Sequence, residues 1–423
     1  MLYLLNKKKL KMPTVISYNK FVHILLFVGI AITPLLNSLE VISLFTTSIS
    51  DNINLNLTIL TSIYLKSLKD VIFSLIFVMF LLAVAYGRSL KKFQISFLYI
   101  VIFLMGGALL NSMFYYPFPI LLSGIRFLFP LLVFVAIYRE IDTETMLNIT
   151  NIIKYVFIFH LVMQIIEFFF SGDYYGIFLG SYALRNPGVF LIPSSGAIFS
   201  LCAYIFMYYF GQSNKIFLFS SVLLSVLLTT SVTGLGIFIF ISLFQIFRHF
   251  RFSPFLALST VLIIIIISAP AIFELIRHFG RGDDLIKISG GTRLNIFLDE
   301  LKLENYISNK FGSATNTGHL VGLAFGLKGT EIADSTYASM IMNLGYIALV
   351  IYTGFLSYLI YSGLRYKNDF LFLISIFTFL ISFSTIWLEL YPINLLIIIA
   401  ISYCLNYQLS ADNGMDIKSS NNK

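Results

Sequence analysis

The residues FLALSTVLIIIIISAPAIF, at positions 255–273, contain no charged side chain and form a run long enough to cross the hydrocarbon core of a bilayer as one helix. The next residue is Glu274. From there to Thr336 the chain carries charged and turn-forming residues that the flanking runs avoid. A long apolar run followed by a polar stretch predicts a membrane protein in which residues 274–336 lie outside the bilayer.

The same pattern extends to both ends of the chain. Its 423 residues are 58% hydrophobic and 11% charged, and its mean hydropathy is +0.90. A soluble domain is closer to about 25% charged. We therefore predict an all-α polytopic membrane protein with a single domain over residues 1–423. Recurring apolar runs predict about twelve transmembrane helices, near 21–45, 71–86, 95–114, 117–137, 152–170, 194–210, 216–231, 233–247, 255–273, 337–362, 370–387 and 391–407.

The distribution of positive charge predicts the orientation. If the N-terminus is cytoplasmic, most lysines and arginines fall in cytoplasmic segments, and the short outer segments hold only Lys66, Lys69 and Arg185. The positive-inside rule then places both termini in the cytoplasm. The segments 171–193 and 274–336 become a shorter and a larger outer loop.

The two ends of the chain are polar. A lysine-rich N-terminus precedes an apolar run that begins at Phe21, contains Asn37 and Glu40, and has no clear cleavage site. We interpret this run as a retained span and not as a signal peptide. Residues 408–423 are predicted to form a disordered cytoplasmic tail.

Metal and nucleic-acid chemistry are not favoured by the sequence. Cys202 and Cys404 both fall inside apolar runs, which argues against a disulfide framework and a thiol metal site. His319 and the acidic residues lack metal-ligand spacing, and Asp283 with Asp284 is more simply a solvated pair. The net charge of +8 is in large part topological. We expect no metal, no cofactor and no nucleic-acid partner.

Two groups of polar residues fall inside predicted spans. Arg126 lies near the middle of the predicted fourth helix, where a charge is costly and usually faces a cavity or an ion-pair partner. His160, Gln164 and Glu167 follow at i, i+4 and i+7 on the fifth helix and share one face. Counted at about 1.5 Å per residue, Arg126 and His160 lie at similar depths below the outer end. They either line an outward-opening cavity together or form an interhelical ion pair and a hydrogen-bonded seam.

Arginines in the predicted outer loops are candidates for binding an anion. Arg185 stands in the sequence RNPG at 185–188, and arginine's planar fork suits diphosphate and carboxylate groups. Arg293 ends the sequence GGTR at 290–293, where Thr292 is a candidate N-cap and the helix start would favour an anion. The alternative for Arg185 is a solvated loop charge, and a sequence as short as GGTR also occurs by chance.

Together these features resemble the O-antigen polymerase (Wzy) family of bacterial inner membranes. The topology is similar over the whole chain, with twelve spans and a large outer loop before the tenth. Short elements carry the rest of the resemblance: Arg185 with Gly196 after ten intervening residues, GGTR at 290–293, FG at 311–312, DSTY at 334–337 and NLGYIAL at 343–349. The Arg-to-Gly spacing does not recur after Arg281 or Arg293, so a second copy of that motif is not claimed.

The resemblance implies a fold and an activity. The fold would be GT-C-like, and the enzyme would be a metal-independent glycosyltransferase of the inverting type. Its partners would be glycans linked to undecaprenyl diphosphate, membrane lipid, and a Wzz-like co-polymerase that sets chain length. The resemblance further implies catalytic roles for Arg185 and Arg293 on the diphosphate. Asp334 would be the base for the acceptor hydroxyl or a residue that orients it, and His319 is the alternative base. Further candidates for substrate binding are Arg126, Arg281, His319, Gln164 and Glu167.

Two other functions remain open at this point. O-antigen ligases share the architecture, although they usually place a histidine where Asp334 stands. A flippase or transporter for a lipid-linked or polar solute is the second alternative, and the polar face with His160, Gln164 and Glu167 would suit it. Against the transporter, the sequence shows no paired halves with broken helices.

Overall fold

The computed structural model describes residues 18–46, 68–126, 128–138, 140–170, 186–190, 193–212, 214–278 and 335–412. Every regular element in these ranges is helical. The elements are α1 (Tyr18–Thr46), α2 (Leu68–Ala85), α3 (Lys92–Ser112), α4 (Phe118–Arg126), α5 (Phe129–Ile137), α6 (Thr143–Phe170), α7 (Pro193–Phe210), α8 (Lys215–Thr229), α9 (Val232–His249), α10 (Pro254–His278), α11 (Thr336–Arg365), α12 (Asp369–Ser384), a 3-10 turn (Trp387–Glu389) and α13 (Ile393–Asp412).

Six of the described helices are long and apolar enough to cross a membrane, namely those with apolar segments Tyr18–Leu36, Leu68–Ala85, Lys92–Ser112, Thr143–Phe169, Val232–His249 and Thr336–Arg365. The prediction of a helical membrane protein is confirmed at this level. The count of twelve spans stays a prediction, because several other apolar helices are shorter, such as Lys215–Thr229 and Asp369–Ser384.

The predicted fourth helix, 117–137, is wrong as a single element. The chain forms α4 and α5, each of nine residues, and the helical path is interrupted before Phe129. Pro130 stands in the first turn of α5. Proline lacks an N–H and disfavours helical geometry in the residue before it, so a helix begins readily at this position and does not continue through it.

Other boundaries agree more closely. The predicted helices 216–231 and 233–247 are indeed separate, and Ser231 caps the second of them by accepting a hydrogen bond from the Gly234 N–H at 3.2 Å. The helix predicted over 255–273 is longer in the structure, because α10 runs from Pro254 to His278.

The centre of the bundle is formed by helices that are apolar on every side. Residues 197–203 of α7 are buried throughout, and so are residues 395–402 of α13. Such helices are typical of a protein interior. The Ser402 hydroxyl donates to the Ile137 carbonyl at 2.8 Å and so ties α13 to the end of α5.

One end of the bundle holds ion pairs between helix ends. The Arg248 Nε donates to the Asp369 carboxylate at 2.8 Å, which joins the end of α9 to the start of α12. Arg88 pairs with Glu140 between α2 and α6. Burial raises the pKa of the Glu140 carboxyl, and the nearby Arg88 charge opposes this rise. By the positive-inside prediction, this end faces the cytoplasm.

The opposite end is where α6, α8 and α12 finish and where α7, α9, α11 and α13 begin. The chain enters the described structure there at Asn186 and again at Ser335, and we call it the loop end. The Asn186 N–H donates to Leu228 O in the last turn of α8 at 3.0 Å, and the Thr336 N–H donates to Thr385 O after α12 at 3.1 Å. Both entry points are thus fixed to neighbouring helices.

Candidate functional site

The segment Asn186–Phe190 is bound tightly between α6 and α8. In addition to its backbone N–H, the side-chain Nδ2 of Asn186 donates to Leu228 O, at 3.3 Å. The Gly188 N–H donates to Glu167 Oε2 at 2.7 Å. Asn186 and Glu167 are both buried. Because this segment follows Arg185 directly, these contacts fix the backbone immediately after that predicted anion-binding residue.

Gln164 connects the segment to the helices beneath it. Its Nε2 donates to Asn186 O at 3.1 Å and to Ser225 O at 3.2 Å, while its Oε1 accepts from the Ser225 hydroxyl at 2.6 Å. Ser225 lies 2.8 Å from the Ser200 hydroxyl of α7. One glutamine therefore joins α6, α8 and the 186–190 segment, and it is completely buried.

The His160 side chain packs directly against Gly188. Its ring is fully buried and meets the rings of Phe190 and Phe199 edge-on, with centroids 5.2 and 5.7 Å away. Neither ring nitrogen has a hydrogen-bond partner of good geometry within the described residues, although the backbone of Gly196 lies close by. The imidazole therefore acts here mainly as a packing surface for the segment above it.

These contacts decide between the two interpretations of the α6 face. His160, Gln164 and Glu167 do contact one common structure, as their spacing predicts. Gln164 and Glu167 are buried and hydrogen-bonded within the protein, which is the hydrogen-bonded seam. In this structure they position the 186–190 segment, and their predicted contact with substrate stays a prediction.

Arg126 belongs to a second group of charged residues at the loop end. Its Nε lies 3.5 Å from Asp70 Oδ1 in the first turn of α2. The Arg126 side chain is 37% exposed and that of Asp70 is 20% exposed. Lys69 and Glu389 line the same small pocket, with Phe73, Pro130, Leu388, Tyr391 and Asn394. The pocket thus combines two positive with two negative groups.

The predicted position of Arg126 within one continuous helix is wrong. The residue ends α4 and does not sit midway along a continuous helix. Its partners are Asp70 on α2 and the pocket beside the 3-10 turn, whereas Gln164 and Glu167 contact the 186–190 segment. The two polar groups share the loop end, but each has its own set of contacts.

Sequence reasoning missed Asp70 and Glu389 as members of a site. A signal was present for both, since Asp70 opens an apolar run and Glu389 interrupts another. Charges at such positions usually have partners. The break between α4 and α5 prevents a simple count along the helix from pairing either of them with Arg126.

The remaining predicted site residues, Arg185, Arg281, Arg293, His319 and Asp334, lie outside the described residues. Two of them have described neighbours. Asn186 follows Arg185 and is fixed as above, and Ser335 follows Asp334. The Ser335 hydroxyl donates to Ser382 O at 3.0 Å and caps α11. The structure therefore holds the residues after Arg185 and after Asp334 at the same end of the bundle, where Arg126 also lies. No family model, curated protein or solved structure matches the chain.

Proposed function

We propose that this protein is an O-antigen or polysaccharide polymerase of the bacterial inner membrane. It joins oligosaccharide repeat units that are carried on undecaprenyl diphosphate, and the reaction releases undecaprenyl diphosphate. In this proposal the chain crosses the membrane about twelve times, both termini are cytoplasmic, and the loop end faces the periplasm. The segments 171–193 and 274–336 then lie over the site.

One observation carries the proposal. Three parts of the chain are anchored at one end of the helical bundle. Each contains or adjoins a residue that is predicted to bind the anion or to act as the general base. Asn186 is bound to α8, Ser335 is bound to α12, and Arg126 lies beside the 3-10 turn. A reaction on a lipid-linked glycan needs this arrangement, because its lipid stays in the bilayer while its diphosphate and sugars emerge at the surface.

The chemistry follows from charge and geometry. A hydroxyl oxygen of the acceptor sugar attacks the anomeric carbon of the growing chain, the bond from that carbon to the diphosphate oxygen breaks, and the electron pair leaves with undecaprenyl diphosphate. Asp334 takes the hydroxyl proton. Arg185 and Arg293 stabilise the negative charge that develops on the diphosphate, as fixed cationic donors do in other sites.

Other residues bind or position the substrate in this proposal. Arg281 and His319 belong to the larger loop and contact the glycan or the diphosphate. Arg126 forms an ion pair with Asp70 through Nε at 3.5 Å, and in this proposal the other N–H groups of its guanidinium donate to the anion. A Wzz-like co-polymerase would set the length of the product.

Deleting the gene is expected to remove long glycan chains while leaving the first repeat unit in place. The cell would still make, flip and ligate single units, and only their joining would stop. Lipopolysaccharide separated on a gel should show lipid A-core that bears one unit and no ladder. Plasmid-borne wild-type protein should restore the ladder. An unchanged ladder, or loss of even the single unit, would contradict the proposal, and the second outcome would indicate a ligase or a flippase.

The pair Arg126 and Asp70 offers a test of residue roles. We expect Arg126→Gln and Asp70→Asn each to lower thermal stability, and the double variant to lose less than the sum. For a partly exposed pair, the coupling is about 1 kcal/mol or less. Chain extension should fall with Arg126→Gln and persist with Asp70→Asn, because only the arginine binds the anion. Equal loss of chain extension in both single variants would leave Arg126 with a structural role alone.

A further inference from the structure

Trp387 is the single tryptophan of the chain, and it is 3% exposed. It begins the 3-10 turn Trp387–Glu389, which lies between α12 and α13. Trp387 donates two hydrogen bonds, and both acceptors belong to α11. Its backbone N–H donates to the Thr336 hydroxyl at 3.1 Å, and its indole Nε1 donates to the Tyr352 hydroxyl at 2.6 Å. The turn is therefore held to α11 at two points.

These two points lie on opposite sides of a break in α11. Gly345 has φ 78° and ψ −178°, which is not helical. Thr336 precedes the break, and Tyr352 follows it. Non-helical backbone is tolerated within a membrane where it is buried in protein, and Gly345 is buried. Trp387 thus joins the two parts of an interrupted helix from outside that helix, and we call this arrangement the Trp387 clamp.

The Thr336 hydroxyl is the point at which three elements meet. It is completely buried in the first turn of α11. It donates to Thr385 O after α12 at 2.7 Å and accepts from the Trp387 N–H of the 3-10 turn. A hydroxyl can both donate and accept, and this one does both. Valine has a similar shape without the hydroxyl, so Thr336→Val would leave the buried Trp387 N–H without this acceptor, which is costly.

The 3-10 turn also forms one wall of the pocket that contains Arg126. Leu388 and Glu389 line that pocket together with Arg126. On the side of α13, the Asn394 Nδ2 donates to Leu388 O at 2.7 Å. The turn is therefore fixed by α13 on one side and by α11 on the other. Because Leu388 and Glu389 follow Trp387 directly, a shift of Trp387 would move this wall.

We propose that Thr336 and Trp387 are positioning residues for the Arg126 pocket. Neither side chain is assigned a contact with substrate. Thr336 holds Trp387, and Trp387 holds the wall beside which Arg126 binds the anion. A site that is fixed in advance loses less freedom on binding, so loosening the wall weakens substrate binding and raises KM. The inference rests on the proposed function, because the anion is the diphosphate of the lipid-linked glycan.

The first test measures KM and kcat in liposomes with undecaprenyl diphosphate that carries one repeat unit. We expect Thr336→Val to raise KM roughly 3- to 10-fold, the size of effect that loss of one hydrogen bond gives, with kcat nearly unchanged. Thr336→Ser keeps the hydroxyl and should keep the wild-type KM. Thr378→Val is the matched control and should keep it too, because the buried Thr378 hydroxyl donates within its own helix, to Ile374 O at 2.7 Å.

The second test needs no enzymatic activity. Since the chain has one tryptophan, acrylamide quenching of tryptophan fluorescence measures access to Trp387. We expect stronger quenching in Thr336→Val than in the wild type, and wild-type quenching in Thr336→Ser and Thr378→Val. Unfolding midpoints show which variants are folded. If Thr336→Val is not, Tyr352→Phe removes the second contact of the clamp and is expected to raise both KM and quenching.

Three results would overturn the inference. One is a wild-type KM in Thr336→Val, whatever its quenching. The second is an equal rise of KM in Thr336→Val and Thr378→Val, because the effect would then be a general loss of packing. The third is unchanged quenching in Thr336→Val, because the Trp387 clamp would then not depend on the hydroxyl. An inactive wild-type protein would contradict the proposed function itself, and the quenching result would still test the clamp.

Discussion

Replacing Gly188 by alanine is expected to stop chain extension and to destabilise the protein. Gly188 has φ +60°, a backbone conformation that costs an L-residue about 1–2 kcal/mol. A Cβ atom at this position would overlap the His160 ring and would lie 2.8 Å from Gln164 Cγ. Such overpacking costs a further ~1–3 kcal/mol. Gln164 holds Asn186 and Glu167 holds Gly188 from the same face of α6, so the segment after Arg185 would leave its place.

The measurement combines the unfolding midpoint of the purified variant with the length of glycan that it supports in cells. Gly106→Ala is the matched control, because a Cβ at Gly106 on α3 meets nothing within 4 Å and alanine favours a helix. This control should keep both properties. A Gly188→Ala protein with the wild-type midpoint and full-length chains would show that the 186–190 segment is not held as described.

The second large effect is expected where α11 meets α12. A Cβ on Gly363 would lie 2.7 Å from the Phe372 backbone nitrogen and 2.8 Å from its Cα. Backbone atoms cannot rotate away, so Gly363→Ala must push the two helices apart. We expect a loss of ~1–3 kcal/mol from this overlap, offset in part by the better helix propensity of alanine.

Gly354→Ala provides the control on the same helix, since a Cβ there meets nothing within 4 Å. Both variants replace a helical glycine with alanine, so their change in helix propensity is the same. They differ only in whether the added Cβ atom meets the backbone of α12. Thermal unfolding in a single detergent should therefore give a lower midpoint for Gly363→Ala than for Gly354→Ala. Equal midpoints would mean that α11 and α12 do not approach each other this closely.

The helices could be predicted from the sequence because apolar runs and polar interruptions are local properties. The separation of α8 from α9 followed from residues 231–234, where Ser231 is now seen to cap α9. In contrast, the break between α4 and α5 was missed, since hydropathy remains high on both sides of it. Pro130 was the available signal, and its effect on the backbone is steric and not hydrophobic.

The site was less predictable because its contacts join distant parts of the chain. Spacing alone showed that His160, Gln164 and Glu167 share a face, but it did not show what covers that face. The partner proved to be the 186–190 segment, which reaches Gln164 through a backbone carbonyl. Every residue has a backbone carbonyl, so the sequence does not show which carbonyl Gln164 contacts, and only the folded structure does. Likewise, Asp70 and Arg126 meet only because α2 and α4 have their ends at the same level.

The most direct test of the proposed function is a reaction with the purified protein in liposomes. The substrate is undecaprenyl diphosphate that carries one oligosaccharide repeat unit from the native glycan, with no added metal. The products are separated by size, and undecaprenyl diphosphate is measured. We predict glycans of two or more units, one undecaprenyl diphosphate released for each bond formed, and weaker extension with Arg185→Lys, which keeps the charge but loses the planar fork. Unchanged single units in the presence of folded wild-type protein would contradict the account.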